Sequence, residues 1–244
     1  MAVNLELQTK GQHTMLERIK KRLSFWKRPS PNVSYSQCGE DLIIRHLFSQ
    51  IGVYKPTYLD IGAHHPTFLN NTYLFYKNGS SGVNIEPDPW LFNTFEKKRP
   101  KDTNLNIGVG IESKNEEKDF FIMSARTLNT FSKMEAEKVA SYGNNKIEKI
   151  IKVKTTNINE IVKSYFPGGA LDLLTVDVEG LDYQIMSTFD FKIRPKVICV
   201  ETLEYSEESF GKKNPGLIDF LIEKNYLLYA DTYINTILVD NLIL

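Results

Sequence analysis

The sequence predicts an α/β fold: a mostly parallel seven-stranded sheet with helices on both faces and an antiparallel strand near the C-terminus. Two observations predict it. Short apolar runs alternate with segments of helical periodicity, and that alternation calls for a parallel, doubly wound sheet. The last two runs, Tyr226 to Ala230 and Thr236 to Val239, are joined by a connection too short for a helical crossover, so they must be antiparallel neighbours.

Bulk properties narrow the class. The 244 residues suit one large α/β domain with a short appendage, and 41% hydrophobic residues suffice for a sizeable core. Lys+Arg and Asp+Glu each number 30, a balance that argues against a dedicated nucleic-acid binder. Cys38 and Cys199 are far apart and in no CxxC spacing, so neither a disulfide framework nor a zinc site is expected. Cys199 reads as a small buried apolar residue. No run is long enough to cross a bilayer and no signal-peptide pattern is present, so the expected location is the cytoplasm.

Residues 1–34 read as an N-terminal basic amphipathic helix and linker, and 35–244 as the main domain. Met15, Leu16, Ile19, Leu23 and Trp26 fall at helical spacing opposite a basic face, and Pro29-Ser30-Pro31-Asn32 breaks the pattern. Such a helix either docks on the domain's own surface or, through residues 14–28, makes a peripheral membrane or partner contact. A helix over Glu40 to Ile51 presents Ile43, Ile44, Leu47, Phe48 and Ile51, and Tyr58-Leu59-Asp60-Ile61 follows as a buried strand. Pro66 can open a helix with Leu69, Tyr73 and Tyr76 inward, which Asn78-Gly79 stops. Gly82 to Glu86 is the second strand. Asp88-Pro89 then supplies an N-cap and first-turn proline for a helix ending before Pro100. Asn104 to Val109 reads as a third strand.

Residues from about 112 to 150 break the alternation and read as an insertion, with a strand at Asp119 to Ile122 and a polar helix at Ser132 to Tyr142. Substrate contacts often lie on such segments. Asn157-Ile158-Asn159-Glu160 resembles a capping box before a helix through Tyr165. Leu173 to Asp177 is a strand, Leu181, Ile185, Met186 and Phe189 share a helical face, and Val197 to Glu201 is the next strand. Asn214-Pro215 opens a helix with Leu217, Ile218, Leu221 and Ile222 inward.

In open α/β sheets ligands bind beyond the carboxyl ends of the strands, where strand order switches. Asp60, Glu86, Asp177 and Glu201 all fall there. A carboxylate at an apolar strand end is costly unless paired or liganded, so four of them point to a site. The turn Asp60-Ile61-Gly62-Ala63-His64-His65-Pro66 lacks the GxGxxG spacing that cradles a pyrophosphate. Gly62 still permits close backbone approach to a ligand. S-adenosylmethionine, which has no phosphate, suits this arrangement: Asp60 can face its ammonium, and Glu86 can accept hydrogen bonds from both ribose hydroxyls.

Over nearly all of residues 35–240 the chain resembles the FkbM-type methyltransferases. The matching segments are Tyr35-Ser36-Gln37 with Gly39-Glu40-Asp41, Asp60 to Pro66, Asn70-Asn71-Thr72-Tyr73, Ile85-Glu86-Pro87 and Asp177-Val178-Glu179-Gly180. Asn70 stands where the family usually has Ser. The resemblance implies a Rossmann-like class I methyltransferase fold and S-adenosylmethionine as cofactor. It also implies methylation of a hydroxyl, often on bacterial surface glycans or secondary metabolites, so the expected partner is a small-molecule or glycan acceptor. Carried onto this sequence, it implies cofactor contacts at Gln37, Asp41, Asp60, Gly62, Ala63, Asn71, Glu86 and Pro87.

A hydroxyl acceptor must lose its proton, with help from a base or a metal. Asp177 and Glu201 end adjacent strands and are candidates to hold a cation such as Mg²⁺. Without a metal, Asp177 or one of His64 and His65 is the candidate base. Glu179 is either a further ligand or a turn residue, and Arg126 and Asn129 are candidates for acceptor contacts. Two other readings compete. A nicotinamide-dependent oxidoreductase is disfavoured by the missing GxGxxG and the reversed strand, and a non-catalytic Rossmann-like module by the four carboxylates.

Overall fold

The computed structural model describes residues 32–112, 116–204 and 211–244. The chain divides into two units, Met1–Val33 and Ser34–Leu244. The amphipathic helix expected near residues 14–28, and its membrane contact, lie outside the described residues. Among the described residues no helix is long and apolar enough to cross a membrane.

In chain order the second unit begins with α1 (Glu40–Gln50), β1 (Tyr58–Ile61), α2 (Tyr73–Lys77), β2 (Gly82–Ile85), α3 (Pro89–Lys98) and β3 (Thr103–Leu105). Next come β4 (Gly108–Gly110), β5 (Glu116–Met123), α4 (Lys133–Ser141), β6 (Ile147–Asn157), α5 (Ile158–Tyr165) and β7 (Leu173–Val176). The chain closes with α6 (Asp182–Thr188), β8 (Val197–Glu201), β9 (Leu203–Glu204), β10 (Lys212–Lys213), α7 (Pro215–Glu223), β11 (Tyr226–Asp231) and β12 (Asn235–Asp240). Seven strands form the main sheet in the order β11-β12-β8-β7-β1-β2-β3. The five from β8 to β3 are parallel, and β12 runs antiparallel to both of its neighbours. This is the expected Rossmann-like sheet with its reversed strand.

Both sheet faces are covered, which is why the central strands are apolar at nearly every position. On one face Leu59, Ile61, Leu174, Val176, Ile198 and Val200 pack under α5, α6 and α7 through Ile161, Met186 and Leu221. On the other, Tyr58, Leu173, Val197 and Cys199 meet Ile44, Leu47 and Phe48 of α1 and Phe75 of α2.

Strands β6, β9 and β10 have no counterpart among the expected elements, and two expected elements take a different form. The helix expected from Pro66 begins only at Tyr73. Leu69 adopts φ +49°, and the Asn70 side-chain carbonyl accepts hydrogen bonds from the backbone N–H groups of Thr72 and Tyr73, so residues 66–72 form a turn. The strand expected over Asn104 to Val109 is split. Asn106 donates its side-chain amide to the carbonyls of Glu86 and Pro87, and the chain leaves the main sheet there. β4 then joins a separate three-stranded sheet, β4-β6-β5. Its Phe121 and Met123 pack on Ala136 and Val139 of α4.

Arg99 was not singled out by the sequence, yet it is fully buried beneath β1 and β2. Its Nε donates to Asp102 at 2.7 Å, and its two terminal nitrogens donate to Asn70, Thr72 and Tyr58. The guanidinium lies over the rings of Tyr58, Tyr76 and Phe95. Asp102 also accepts from the Tyr58 hydroxyl, the Gly82 N–H and the Asn84 amide. Thr72 passes the network on, donating to Asp60 at 2.7 Å. Removing one partner of such a pair leaves a charge buried alone. Arg99→Met is therefore expected to lower unfolding free energy by about 3–5 kcal/mol in urea titrations, and a loss below about 1 kcal/mol, the scale of an exposed pair, would contradict this account.

Candidate functional site

The register aligns the strand ends. Ile61 lies level with Ile85 and Val176, and Val176 with Val200. The residues one step on, Gly62, Glu86, Asp177 and Glu201, thus form a row along the carboxyl edge of the sheet. The row spans the point where the chain turns from building outward through β2 and β3 to building the other way through β7 and β8, where ligands bind in such sheets. Gly62 sits at φ +76°, and a Cβ there would lie 1.8 Å from the Asp177 backbone oxygen. Only glycine lets the two loops approach so closely. The Gly62 and Ala63 N–H groups donate to the Ile85 carbonyl.

A cavity of about 290 Å³ opens over this row. Gln37, Asp60, Gly62, Ala63, His64, Asn71, Glu86, Pro87, Asp177 and Glu201 line it. Two expected site residues do not. Asp41 is buried, and its carboxylate accepts from the Ser34 and Ser36 hydroxyls and the Tyr35 N–H, tying the preceding segment to the first turn of α1. His65 accepts from the Thr67 N–H and sets its ring edge-on to Phe68, outside the cavity wall.

Glu86 is held from both sides. One carboxylate oxygen accepts from the His64 N–H at 2.8 Å and the other from the Asp88 N–H at 2.7 Å. Each oxygen keeps a lone pair for a ligand hydroxyl. Burial pushes this carboxyl up to about 8. His64 takes φ +54°, and burial together with the neighbouring His65 pushes its imidazole down to about 4, so it is neutral at physiological pH. Asp60 accepts from Asn70 and Thr72, and Asn71 reaches across to donate to the Thr175 hydroxyl on β7.

Arg126 and Asn129 line the cavity, as candidates for acceptor contacts should, and each is also tied to the wall. Both bond the buried Asp88 carboxylate, Arg126 in a close ion pair and Asn129 at 3.2 Å. Asp88 uses its other oxygen to cap α3 at the Trp90 N–H, as its position predicts. The cap was legible in the sequence; the link to the insertion was not. Phe120 and Phe131, which also line the cavity, carried no sequence signal.

Beyond β7 and β8 the oxygens of Asp177, Glu179 and Glu201 lie within 4.8 Å of one another. Burial and mutual repulsion push Asp177 up to about 6, and Glu179 and Glu201 well above the usual carboxylate range. Asp177 and Glu201 share a hydrogen bond. Asp182, pushed up to about 7 by burial and Asp177, accepts from the Val178 N–H. Glu179 is held at φ +52°, with its carbonyl accepting from Thr130 of the insertion.

The profile of the methyltransferase FkbM domain matches residues 60–228. A search of curated proteins gives no match. Among solved structures, a TehB-like SAM-dependent methyltransferase from Corynebacterium glutamicum is 8% identical, with 92% of this chain and 97% of that chain covered and a TM-score of 0.42. An O-methyltransferase from Bacillus cereus in complex with SAH is 11% identical, with 92% and 90% covered and a TM-score of 0.38. These structural likenesses are distant.

The raised carboxyls set the pH response. The folded protein binds the Glu86 proton more tightly than the unfolded chain, so this group's contribution to stability is present below pH 4.5 and is lost as pH rises towards about 8. Glu86→Gln is expected to flatten that dependence, its Tm in ligand-free buffer falling less than that of the parent over this range. Parallel curves for the two proteins would contradict the assignment.

Proposed function

The chain belongs to the methyltransferase FkbM family, as an S-adenosylmethionine-dependent methyltransferase, and on that premise we propose that it methylates a hydroxyl of a sugar or related glycoside. The observation that carries the reading is the row of Gly62, Glu86, Asp177 and Glu201 along one wall of a single cavity. In this reading Glu86 accepts from the ribose hydroxyls, the tight Gly62–Ala63 turn lets the cofactor lie against the backbone, and Asp60 faces the ammonium of its tail. The carboxylates past β7 and β8 meet the acceptor.

The transfer is an in-line displacement. The acceptor oxygen forms a bond to the methyl carbon while the carbon–sulfur bond breaks, its electron pair staying on sulfur to give S-adenosylhomocysteine. The hydroxyl proton passes to the Asp177–Glu201 pair. Asp177, pushed up to about 6, is a stronger base than an ordinary carboxylate, and a stronger one than His64 at about 4. Most of the acceleration comes from holding the two reactants in line. Asp177, Glu179 and Glu201 offer hard oxygen donors spaced for one divalent cation. Bound there, Mg²⁺ would replace the base, holding the acceptor hydroxyl and favouring its alkoxide, as the alternative to proton transfer to the carboxyl pair.

Titration calorimetry tests the cofactor half of the reading. S-adenosylhomocysteine should bind and NAD should not, and Glu86→Gln should weaken binding roughly 10- to 100-fold, the range for leaving a buried hydroxyl without its acceptor. Preference for NAD would end the reading. For the chemical half, Asp177→Asn should bind S-adenosylhomocysteine as the parent does but lose roughly 10²- to 10⁴-fold in turnover. A variant that loses affinity and keeps turnover would mean that Asp177 and Glu86 have exchanged roles. For the alternative through a cation, activity should disappear in EDTA and return with Mg²⁺. Full activity in chelator would remove the cation from the mechanism.

A further inference from the structure

We infer that a second cavity, adjoining the first at Glu179 and Glu201, receives the acceptor and selects an uncharged or amine-bearing sugar over one that carries phosphate. The inference rests on the reading of the first cavity as the methyl-donor site. The second cavity, about 530 Å³, lies among the first turns of α4, α6 and α7 and the turn after β7. Glu179, Glu201 and Leu203 line both cavities. A molecule in the second cavity therefore meets Glu201, one member of the pair that would accept its proton.

The lining decides the class of molecule. Glu135, Glu179, Asp182 and Glu201 face this space; among the described lining residues Lys138 supplies the positive charge, and it is already paired to Glu135 at 3.0 Å. A phosphate or carboxylate entering here finds no unpaired cation among the described lining residues. A neutral polyol needs no cation, and an amine can donate to the carboxyl oxygens.

Tyr183 supplies the apolar part of the wall. Its side chain is 41% exposed, and Phe220 braces it edge-on at 6.0 Å. An aromatic ring so placed offers a flat apolar surface to the C–H face of a pyranose, leaving the hydroxyls to polar neighbours. Gln184 and Asn214 are such neighbours, both uncharged. Gly216 adds no side chain opposite Tyr183: a Cβ there would lie 3.9 Å from the Tyr183 ring.

The test is amide chemical-shift mapping of the full chain, first with S-adenosylhomocysteine and then with three probes: methyl glucoside, glucosamine and UDP-glucose. S-adenosylhomocysteine should shift Gly62. Methyl glucoside or glucosamine, added to that complex, should then shift Gly180, Tyr183 and Gly216, with UDP-glucose weaker at those amides by about tenfold, or 1.4 kcal/mol. Tyr183→Ala should abolish the sugar shifts while S-adenosylhomocysteine still shifts Gly62, and Tyr183→Phe should retain both. Absence of sugar shifts at those amides in the S-adenosylhomocysteine complex would overturn this inference and leave the donor reading standing. So would sugar shifts that survive Tyr183→Ala, or UDP-glucose binding there as tightly as the neutral probe. Failure of S-adenosylhomocysteine to shift Gly62 would overturn the donor reading and this inference with it.

Discussion

Arg99 carries its charge at a place with no access to water, so every donor on its guanidinium needs a protein partner. The partners come from separate parts of the chain: Tyr58 from β1, Asn70 and Thr72 from the turn before α2, and Asp102 from the turn before β3. Asp102 in turn holds the start of β2 at Gly82. Meeting one buried charge therefore fixes how β1, β2 and the 66–72 turn sit relative to one another. That turn carries Asn70 and Thr72, which orient Asp60, and it places Asn71 in the cavity wall. The floor of the candidate site is in this sense built from below.

The wall is built by a second arrangement of charge. Asp88 caps α3 and also binds Arg126 and Asn129, fastening the insertion beside Glu86. Thr130 fastens the same insertion to the Glu179 carbonyl on the far side of the row. The segment that interrupts the strand–helix alternation thus reaches both ends of the site. Between those ends lie carboxyls whose proton affinities are all raised by burial. In strands β1, β7 and β8, whose remaining positions are almost wholly apolar, that cost is the observation that supports a ligand site along the row.

What the sequence made legible follows from physics that is local along the chain. Apolar runs of strand length and a connection of Thr232, Tyr233 and Ile234 are enough to anticipate the sheet and its reversed strand. A strand's last residue is equally readable, so Glu86, Asp177 and Glu201 were visible as a group. Contacts between distant segments were not. Arg99 reads as the last residue of a helix before Pro100, and nothing near it announces that Tyr58 and Asn70 will surround it. Pro66 offers a helix start that Asn70 overrides by bonding the backbone itself. Asp41 carries the right charge near the right motif, yet three neighbouring groups consume its hydrogen-bonding capacity. The second cavity needs α4, α6 and α7 to converge, which no single segment encodes.

The central claim is that a sulfonium nucleoside lies along the carboxyl edge of the sheet. A crystal structure of the complex with S-adenosylhomocysteine tests it most directly. The account predicts both ribose hydroxyls within hydrogen-bond distance of the Glu86 carboxylate, with the amino-acid tail over Gly62 and near Asp60. A nucleoside bound elsewhere, or one in this cavity whose ribose makes no contact with Glu86, would contradict it.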